Sequence, residues 1–211
     1  VLKDAKLRTF ITDDDHRDDL VAHVYDTTYE VIRKHQDTVV VIDDSIVRGT
    51  TLEVSILNML MRLEPKKIVI VSSAPQIRYP DCYGIDMSRM KEFIAFREVM
   101  SLLEDNNMED LIEQVYQKCI DGETVQANYV KELYQPFSYE EVSGKIAEII
   151  SSRYSGIPVE VIYQTVKNLN KAIPNHLGDW YFTGDYPTPG GNRVVNRAFA
   201  NFMEGKAVRA Y

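Results

Sequence analysis

Two adjacent carboxylic acids, Asp43 and Asp44, stand at the end of an apolar, β-branched run at 38–42. Neighbouring carboxylates repel each other, and each is costly to remove from water. Such a pair therefore requires hydroxyl donors or a cation beside it. The chemistry that this pattern predicts is the binding of sugar hydroxyls or of Mg²⁺.

Small and hydroxylated residues follow the acid pair, namely Ser45, Gly49, Thr50 and Thr51, and they lead into a helical pattern. Backbone N–H groups in such a turn, together with a helix N-terminus, form a concave site for a phosphate monoester. Carboxylates beside a phosphate site predict a receptor for a sugar phosphate, and phosphoribose fits it best. The alternative is a polar strand end followed by an ordinary helix cap. No Gly-x-x-x-x-Gly-Lys-Ser/Thr run occurs, which excludes a nucleoside-triphosphate P-loop.

The elements that position these residues are predicted to form a βαβ unit. The run 38–42 has no polar alternation, which is typical of a strand buried on both faces of a parallel sheet. A helical pattern at 51–63 ends at a Glu-Pro pair, and 67–72 is a second strand of the same kind. Ligand loops lie at the carboxyl ends of such strands, so the loops that begin at Asp43 and Ser72 are the candidates.

Outside this unit the hydrophobic pattern is mostly helical. Helices are predicted at about 14–35, 89–96, 97–106, 108–119, 138–151 and 158–171, with an extended, turn-rich segment at 186–192. A soft boundary near Asp121 and Gly122 divides the chain into an α/β domain at 1–120 and a helical C-terminal extension with its tail at 121–211.

Composition limits the functions to consider. The 211 residues carry 32 acidic and 24 basic side chains, and the net charge of -8 argues against a general surface for nucleic acid or anionic membrane. No apolar run is long enough to cross a bilayer. Cys82 and Cys119 lie outside any Cys-x-x-Cys spacing, which disfavours disulfides and zinc. The chain begins at Val1 with no secretory apolar segment, so we expect a trimmed piece of a cytoplasmic protein.

Residues 39–51 resemble, at every position, the phosphoribosylpyrophosphate (PRPP) binding signature of type I phosphoribosyltransferases. The run Asp-Asp-Ser-Ile-Val-Arg-Gly-Thr-Thr within it is similar to one family in particular, the amidophosphoribosyltransferases of purine synthesis. The resemblance is strong over about 6–118 and thin beyond. It extends to the end of the family's flexible active-site loop, to the strand and loop after the PRPP helix, and to its C-terminal tail: 8–11, 67–87, 92–95 and 182–187.

The resemblance implies part of a type I phosphoribosyltransferase sheet and a reaction in which ammonia displaces pyrophosphate from C1 of PRPP, giving 5-phosphoribosylamine. It assigns catalytic roles to Asp43, Asp44 and Arg8. The two acids would hold the ribose hydroxyls and Mg²⁺ and stabilise positive charge on the ribosyl ring. Arg8 would face pyrophosphate from a loop that closes over PRPP, although a solvated loop residue is the alternative. The implied 5-phosphate site comprises Ser45, Val47, Arg48, Gly49, Thr50 and Thr51.

The sequence departs from the family in several places. It contains neither the family's pyrophosphate loop nor a glutaminase domain with a nucleophilic N-terminal cysteine. We therefore expect this chain alone to be inactive and to require the glutaminase domain of the full-length protein. Gly178 and Tyr181 stand where some members have cysteine ligands, so no iron–sulfur cluster is expected. Asp-Thr-Thr at 26–28 replaces a common Lys-Leu-Asn, which is a sign of a diverged paralogue.

The resemblance further implies purine nucleotides as inhibitors and a homo-oligomer, with no nucleic-acid or membrane partner. Two other functions are kept as alternatives. One is a non-catalytic regulatory module that senses nucleotides through a phosphoribosyl pocket. The other is a receiver-like signalling domain, which the Gly-Thr-Thr run at 49–51 disfavours.

Overall fold

A computed structural model of the chain describes residues 31–49, 56–82, 87–121, 127–153, 156–176 and 178–210, together with the backbone at 2–3 and 25–26. The strands are β1 (Leu2–Lys3), β2 (Tyr25–Asp26), β3 (Thr38–Asp43), β4 (Lys67–Ser72) and β5 (Val159–Tyr163). The α-helices are α1 (Asn58–Met61), α2 (Ile94–Asp105), α3 (Glu109–Ile120), α4 (Lys131–Tyr134), α5 (Tyr139–Arg153), α6 (Val166–Ala172), α7 (Trp180–Thr183) and α8 (Pro189–Met203), and a 3-10 turn spans Met90–Glu92.

The acid pair lies at one edge of a parallel sheet in the order β3-β4-β5. The register aligns Asp43 with Ser72, and Ser72 with Tyr163, so the carboxyl ends of all three strands meet at this edge. Helix α1 lies between β3 and β4 in the chain, which confirms the predicted βαβ order. The predicted α/β class with a partial parallel sheet and flanking helices is therefore confirmed.

The core lies against the face of the sheet that carries Ile68 and Ile70, both of which are fully buried. Helix α5 packs on β5 and on α2, and α3 packs on α8. Phe96 of α2 meets Phe199 of α8 edge to face, with ring centroids 6.1 Å apart. Aromatic pairs of this kind bury large apolar areas, so α2 and α8 are held together chiefly by hydrophobic packing.

On the opposite face of the sheet β3 and β5 carry exposed apolar side chains and β4 is only partly buried, which corrects the expectation that the strand at 38–42 is buried on both faces. Val40 is 58% exposed and Ile42 is 77% exposed, while Ile162 of β5 is 44% exposed on the same face. Strand side chains alternate between faces, and the buried set is the one that includes Ile70. An unalternating apolar run predicts burial of both faces, but in this structure the burial itself alternates.

Several predicted helices differ from the structure. The helix at 14–35 is wrong where it is described, because 25–26 form β2 and 31–35 form bends and a turn; the rest of it lies outside the described residues. The helix at 158–171 is in fact β5 followed by α6, which places a strand from the predicted helical extension beside β4. The predicted extended segment at 186–192 is also wrong in its second half, where α8 begins at Pro189. The division at 121 stays a prediction.

The local reasons for the last two differences are plain. β5 has the sequence Val-Glu-Val-Ile-Tyr, in which β-branched residues outweigh the helical spacing. Thr188 caps α8 by accepting a hydrogen bond from the N–H of Gly191, and a proline at the first helical position suits this geometry. In the part of the chain that is described, no helix combines the length and the apolar character needed to cross a membrane.

Candidate phosphoribosyl site

The two acids differ in their surroundings. Asp43 is the last residue of β3 and is half-buried, whereas Asp44 is exposed. Burial raises the pKa of Asp43 above 3.8; the N–H of Asp44, which donates to Asp43 Oδ1 at 3.0 Å, opposes this rise, and the negative charge of Asp44 adds to it. Among the described residues no Lys or Arg pairs with either carboxylate. A half-buried acid beside a second acid is suited to a cation or to hydroxyl donors.

The loop after β4 holds the backbone of both acids. The N–H of Ser73 donates to the carbonyl of Asp43 at 2.9 Å, and the N–H of Ala74 donates to the carbonyl of Asp44 at 3.0 Å. The hydroxyl of Ser73 adds a hydrogen bond of 3.1 Å to the carbonyl of Asp44. These bonds use only carbonyl oxygens, so they fix the backbone of the acids without occupying the carboxylates. The carboxylate of Asp44 accepts a hydrogen bond of 3.3 Å from the hydroxyl of Ser45.

The loop that follows the acids is anchored at two points before it turns at Gly49. Ile46 is 3% exposed and inserts into the core. The carbonyl of Val47 accepts a hydrogen bond of 2.8 Å from the N–H of Ile94, the first residue of α2. The backbone turns at Gly49, whose φ of 76° lies in the left-handed region that favours glycine. The loop is therefore held as a turn at the carboxyl edge of the sheet.

Arg48 is held from two sides. Its side chain forms an ion pair of 3.0 Å with Glu92, which also pairs with Arg89 at 2.7 Å. Its carbonyl accepts a hydrogen bond of 3.3 Å from Arg97 of α2. The guanidinium of Arg48 therefore fastens the loop to the 3-10 turn.

Replacing Glu92 by Gln is expected to lower the free energy of unfolding by about 1–3 kcal/mol, because a neutral amide cannot pair with two partly buried guanidinium groups. Urea unfolding of the whole chain measures this change. The matched control is Glu64→Gln, which weakens the exposed pair between Lys34 and Glu64 (2.7 Å apart) and should cost about 0–1 kcal/mol. Equal losses in the two variants would show that Glu92 does not hold the loop.

Some predicted site residues fall outside the described residues, namely Arg8, Thr50 and Thr51. The structure brings together the others, Asp43 through Gly49, in one continuous turn at the carboxyl edge. Sequence analysis named the loop that begins at Ser72 as a candidate, but it did not predict that Ser73 and Ala74 hold the backbone of the acids. It gave no supporting role to Glu92, Ile94 or Arg97, which lie far along the chain from the acids.

The donor set suits Mg²⁺ rather than a softer metal. No cluster of three or more His, Cys, Asp or Glu side chains with metal-ligand geometry occurs among the described residues. A Mg²⁺ ion at this edge would take oxygen ligands from Asp43 and Asp44, and the remaining ligands would come from substrate and water. Mg²⁺ is commonly bound in this way, through one or two carboxylates and substrate phosphates.

A separate cavity of about 680 Å³ lies at the opposite edge of the sheet. It is lined near the amino ends of β3, β4 and β5 by His35, Lys66 and Ile157, among others.

The cysteines do not suggest further chemistry either. Cys82 and Cys119 form no disulfide, and burial raises the pKa of the Cys119 thiol to about 12, which keeps it protonated.

Comparison with curated proteins finds relatives over part of the chain. The amidophosphoribosyltransferase of Haemophilus influenzae is 48% identical over 77 residues, which are 36% of this chain and 15% of that protein. That of Escherichia coli is 44% identical over 85 residues, which are 40% of this chain and 17% of that protein. This chain is similar, in part, to amidophosphoribosyltransferases.

The similarity is not confined to bacteria. The amidophosphoribosyltransferase of Saccharomyces cerevisiae is 47% identical over 58 residues, which are 28% of this chain and 11% of that protein. The chain thus matches less than a fifth of the length of these relatives. No family model matches it. The resemblance to amidophosphoribosyltransferases that the sequence motifs indicated is confirmed by these identities.

Proposed function

We propose that the chain forms the PRPP-binding part of an enzyme that transfers glutamine-derived ammonia to PRPP. The observation that carries this proposal is the position of Asp43 and Asp44 at the carboxyl edge of a parallel sheet, followed directly by an anchored turn with a left-handed Gly49. Parallel α/β sheets bind their ligands at this edge. The partial identity to amidophosphoribosyltransferases supports the same reaction class.

In the proposed complex the two acids accept hydrogen bonds from the 2- and 3-hydroxyls of the ribose. The 5-phosphate lies against the turn, where the hydroxyl of Ser45 and the backbone N–H groups at 47–49 donate to its oxygens. Thr50 and Thr51 extend this phosphate site, and Arg8 faces the pyrophosphate. The phosphate is thus held mostly by neutral donors, which agrees with a chain of net charge -8.

The proposed reaction forms a bond between C1 and the ammonia nitrogen as the bond between C1 and the pyrophosphate oxygen breaks. The bonding electrons leave with pyrophosphate, and the new amine gives a proton to water. The negative charges of Asp43 and Asp44 stabilise the positive charge that develops on the ribosyl ring. This interaction is stronger in the transition state than in the ground state. Mg²⁺, when bound, neutralises the leaving pyrophosphate.

The wider assembly belongs to the same proposal. A glutaminase domain of the full-length protein supplies ammonia, purine nucleotides inhibit, and the enzyme is a cytoplasmic homo-oligomer that serves purine synthesis. Neither a nucleic acid nor a membrane is a partner. These features follow from the proposed family membership, so any evidence against that membership is also evidence against them.

The test of this function is a pyrophosphate-release assay on the full-length protein. Release is expected only when PRPP, Mg²⁺ and ammonia are all present, and chelation of the metal with EDTA should abolish it. Calorimetry with PRPP and Mg²⁺ gives a second measurement. Binding of PRPP without release of pyrophosphate, with ammonia present, would favour the sensing module, and a lack of any PRPP binding would overturn the proposal.

A further inference from the structure

The segment from Pro75 to Pro80 is unusual because it is buried without belonging to a helix or a strand. It follows β4 and the Ser73–Ala74 turn, and every residue in it is buried. Gln76 is 0% exposed and Arg78 is 6% exposed. Buried irregular backbone must find hydrogen-bond partners elsewhere in the fold, so its conformation is dictated by the elements around it.

Arg78 is a buried cation whose described partners are all uncharged. Its Nε and Nη2 atoms donate to Oε1 of Gln76 at 3.0 and 2.7 Å. The guanidinium lies 4.7 Å from the ring centroid of Tyr134 and 3.8 Å from that of Tyr139. Removing a cation from water is costly, and cation–π interactions with the two aromatic rings offset part of that cost.

The same group ties the segment to α5. Gln76, which Arg78 holds through its oxygen, donates through Nε2 to the carbonyl of Tyr139 and to the hydroxyl of Ser143, both at 2.8 Å. Both acceptors lie in the first turns of α5. Arg78 therefore fixes the orientation of the Gln76 amide, and that amide fixes the segment to the helix.

The backbone of the segment is held by two further elements. The hydroxyl of Tyr134 in α4 donates to the carbonyl of Arg78 at 3.0 Å, and burial raises the pKa of this hydroxyl so that it stays a donor. The N–H groups of Arg78 and Tyr79 both donate to the carbonyl of Tyr181 in α7, at 2.9 and 3.2 Å. All of these partners belong to the part of the chain beyond residue 121.

Only Pro75 separates this group from the residue that holds the acid pair. Ala74 donates to the carbonyl of Asp44, Pro75 fixes its own φ, and Gln76 is clamped to α5. A displacement of Gln76 is therefore transmitted along two residues to the backbone of Asp44. The connection is short and has few soft torsions.

We propose that Arg78 is a positioning residue: its buried guanidinium sets Gln76 and, through Pro75 and Ala74, the acid pair that binds the ribose. This inference rests on the proposed function. A purely structural role would be served better by an apolar side chain, since replacing a buried ion by a well-packed apolar residue is often neutral or stabilising. The C-terminal helices thus contribute to the site by holding the loop after β4 in position.

The test compares Arg78→Met and Arg78→Lys in the full-length protein. Hydrogen exchange at the amides of Ser73 and Ala74, without PRPP, should accelerate about tenfold or more in Arg78→Met, and less in Arg78→Lys, which keeps the charge. The KM for PRPP should rise at least about tenfold in Arg78→Met, since a misplacement of about 1 Å costs up to about 100-fold. The thermal midpoint should not fall in parallel.

The matched control is Tyr139→Phe, which keeps the ring beside Arg78 and removes the hydroxyl that donates to the carbonyl of Phe182 at 3.3 Å. Its exchange rates at Ser73 and Ala74 should be those of the wild type. Unchanged exchange in Arg78→Met would overturn the positioning role, whatever the activity. Faster exchange in a protein that never binds PRPP would support the positioning role while defeating the proposed function. If Arg78→Met does not fold, Arg78→Lys decides by the same exchange measurement.

Discussion

In the proposed reaction, phosphoribosylamine formation by the full-length protein is expected to fall by about 1,000-fold or more when Asp43 and Asp44 are both replaced by Asn, since preorganised charges of this kind contribute about 10²–10³ in rate each. The amides keep the size of the acids and one of the two accepting oxygens of each. They lose the negative charges that oppose the cationic ribosyl ring and bind Mg²⁺. Steady-state kinetics with saturating ammonia measures the loss.

The control for this prediction is Asp110→Asn, an exposed acid in the first turn of α3 that lies outside the site. It should leave the rate unchanged. Undiminished phosphoribosylamine formation in the double variant would end the catalytic assignment of the acid pair. A double variant that binds PRPP normally and turns it over at the wild-type rate would leave only a structural role for these two residues.

The two substitutions are expected to lower the rate without lowering stability. Burial raises the pKa of Asp43 above the ordinary value of 3.8. The folded state therefore binds this proton more tightly, so the contribution of Asp43 to stability is fully present below pH 3.8 and is lost as the pH rises through the folded-state pKa. At neutral pH the ionised Asp43 destabilises the folded state, so Asp43→Asn should leave the thermal midpoint unchanged or raise it.

Local sequence features were enough to predict the part of the fold that carries the acids. The run at 38–42 and the strand at 67–72 are β-branched, and the helical spacing between them has only one plausible place in a βαβ unit. The acids were recognised because two carboxylates at a strand end require partners. These predictions depend on neighbours in the chain, so the sequence contains the information directly.

The contacts that hold the site depend instead on residues far apart in the chain. Glu92 meets Arg48 and the N–H of Ile94 meets Val47 only because the tertiary fold brings the start of α2 to this loop. Neither pairing has a periodic signal. β5 was mistaken for part of a helix because a short apolar run fits both periods, and its place beside β4 is decided by tertiary packing.

The surroundings of Arg78 show most clearly that contacts between distant parts of the chain cannot be predicted from local sequence. A lone arginine after a strand would ordinarily be assigned to the surface. It is buried here because two tyrosines and a buried glutamine from three segments converge on it. Sequence spacing could not indicate this arrangement, although the richness of the extension in tyrosine was visible. Its role follows from the structure alone.

Replacing Gly184 by Ala is expected to lower the free energy of unfolding by about 3 kcal/mol, the sum of a left-handed backbone penalty and of overpacking. Gly184 ends α7 with a φ of 74°. A Cβ atom there would lie 2.7 Å from Nδ2 of Asn128 and 2.8 Å from Cζ of Tyr79. Both neighbours are buried, and Tyr79 belongs to the segment beside Arg78, so neither has room to move away.

Two other glycines separate the causes of that loss. Gly205 has a φ of 67° but nothing within 4 Å of an added Cβ, so Gly205→Ala should cost only the backbone penalty of about 1–2 kcal/mol. Gly144 lies inside α5 with open space around it, and Gly144→Ala should stabilise the chain by about 0.5–1 kcal/mol. Urea unfolding of the three variants measures these free energies. If Gly184→Ala cost no more than Gly205→Ala, the close packing of the C-terminal tail against Tyr79 would contribute nothing to stability. A larger cost means that this packing helps to hold the loop after β4 in place.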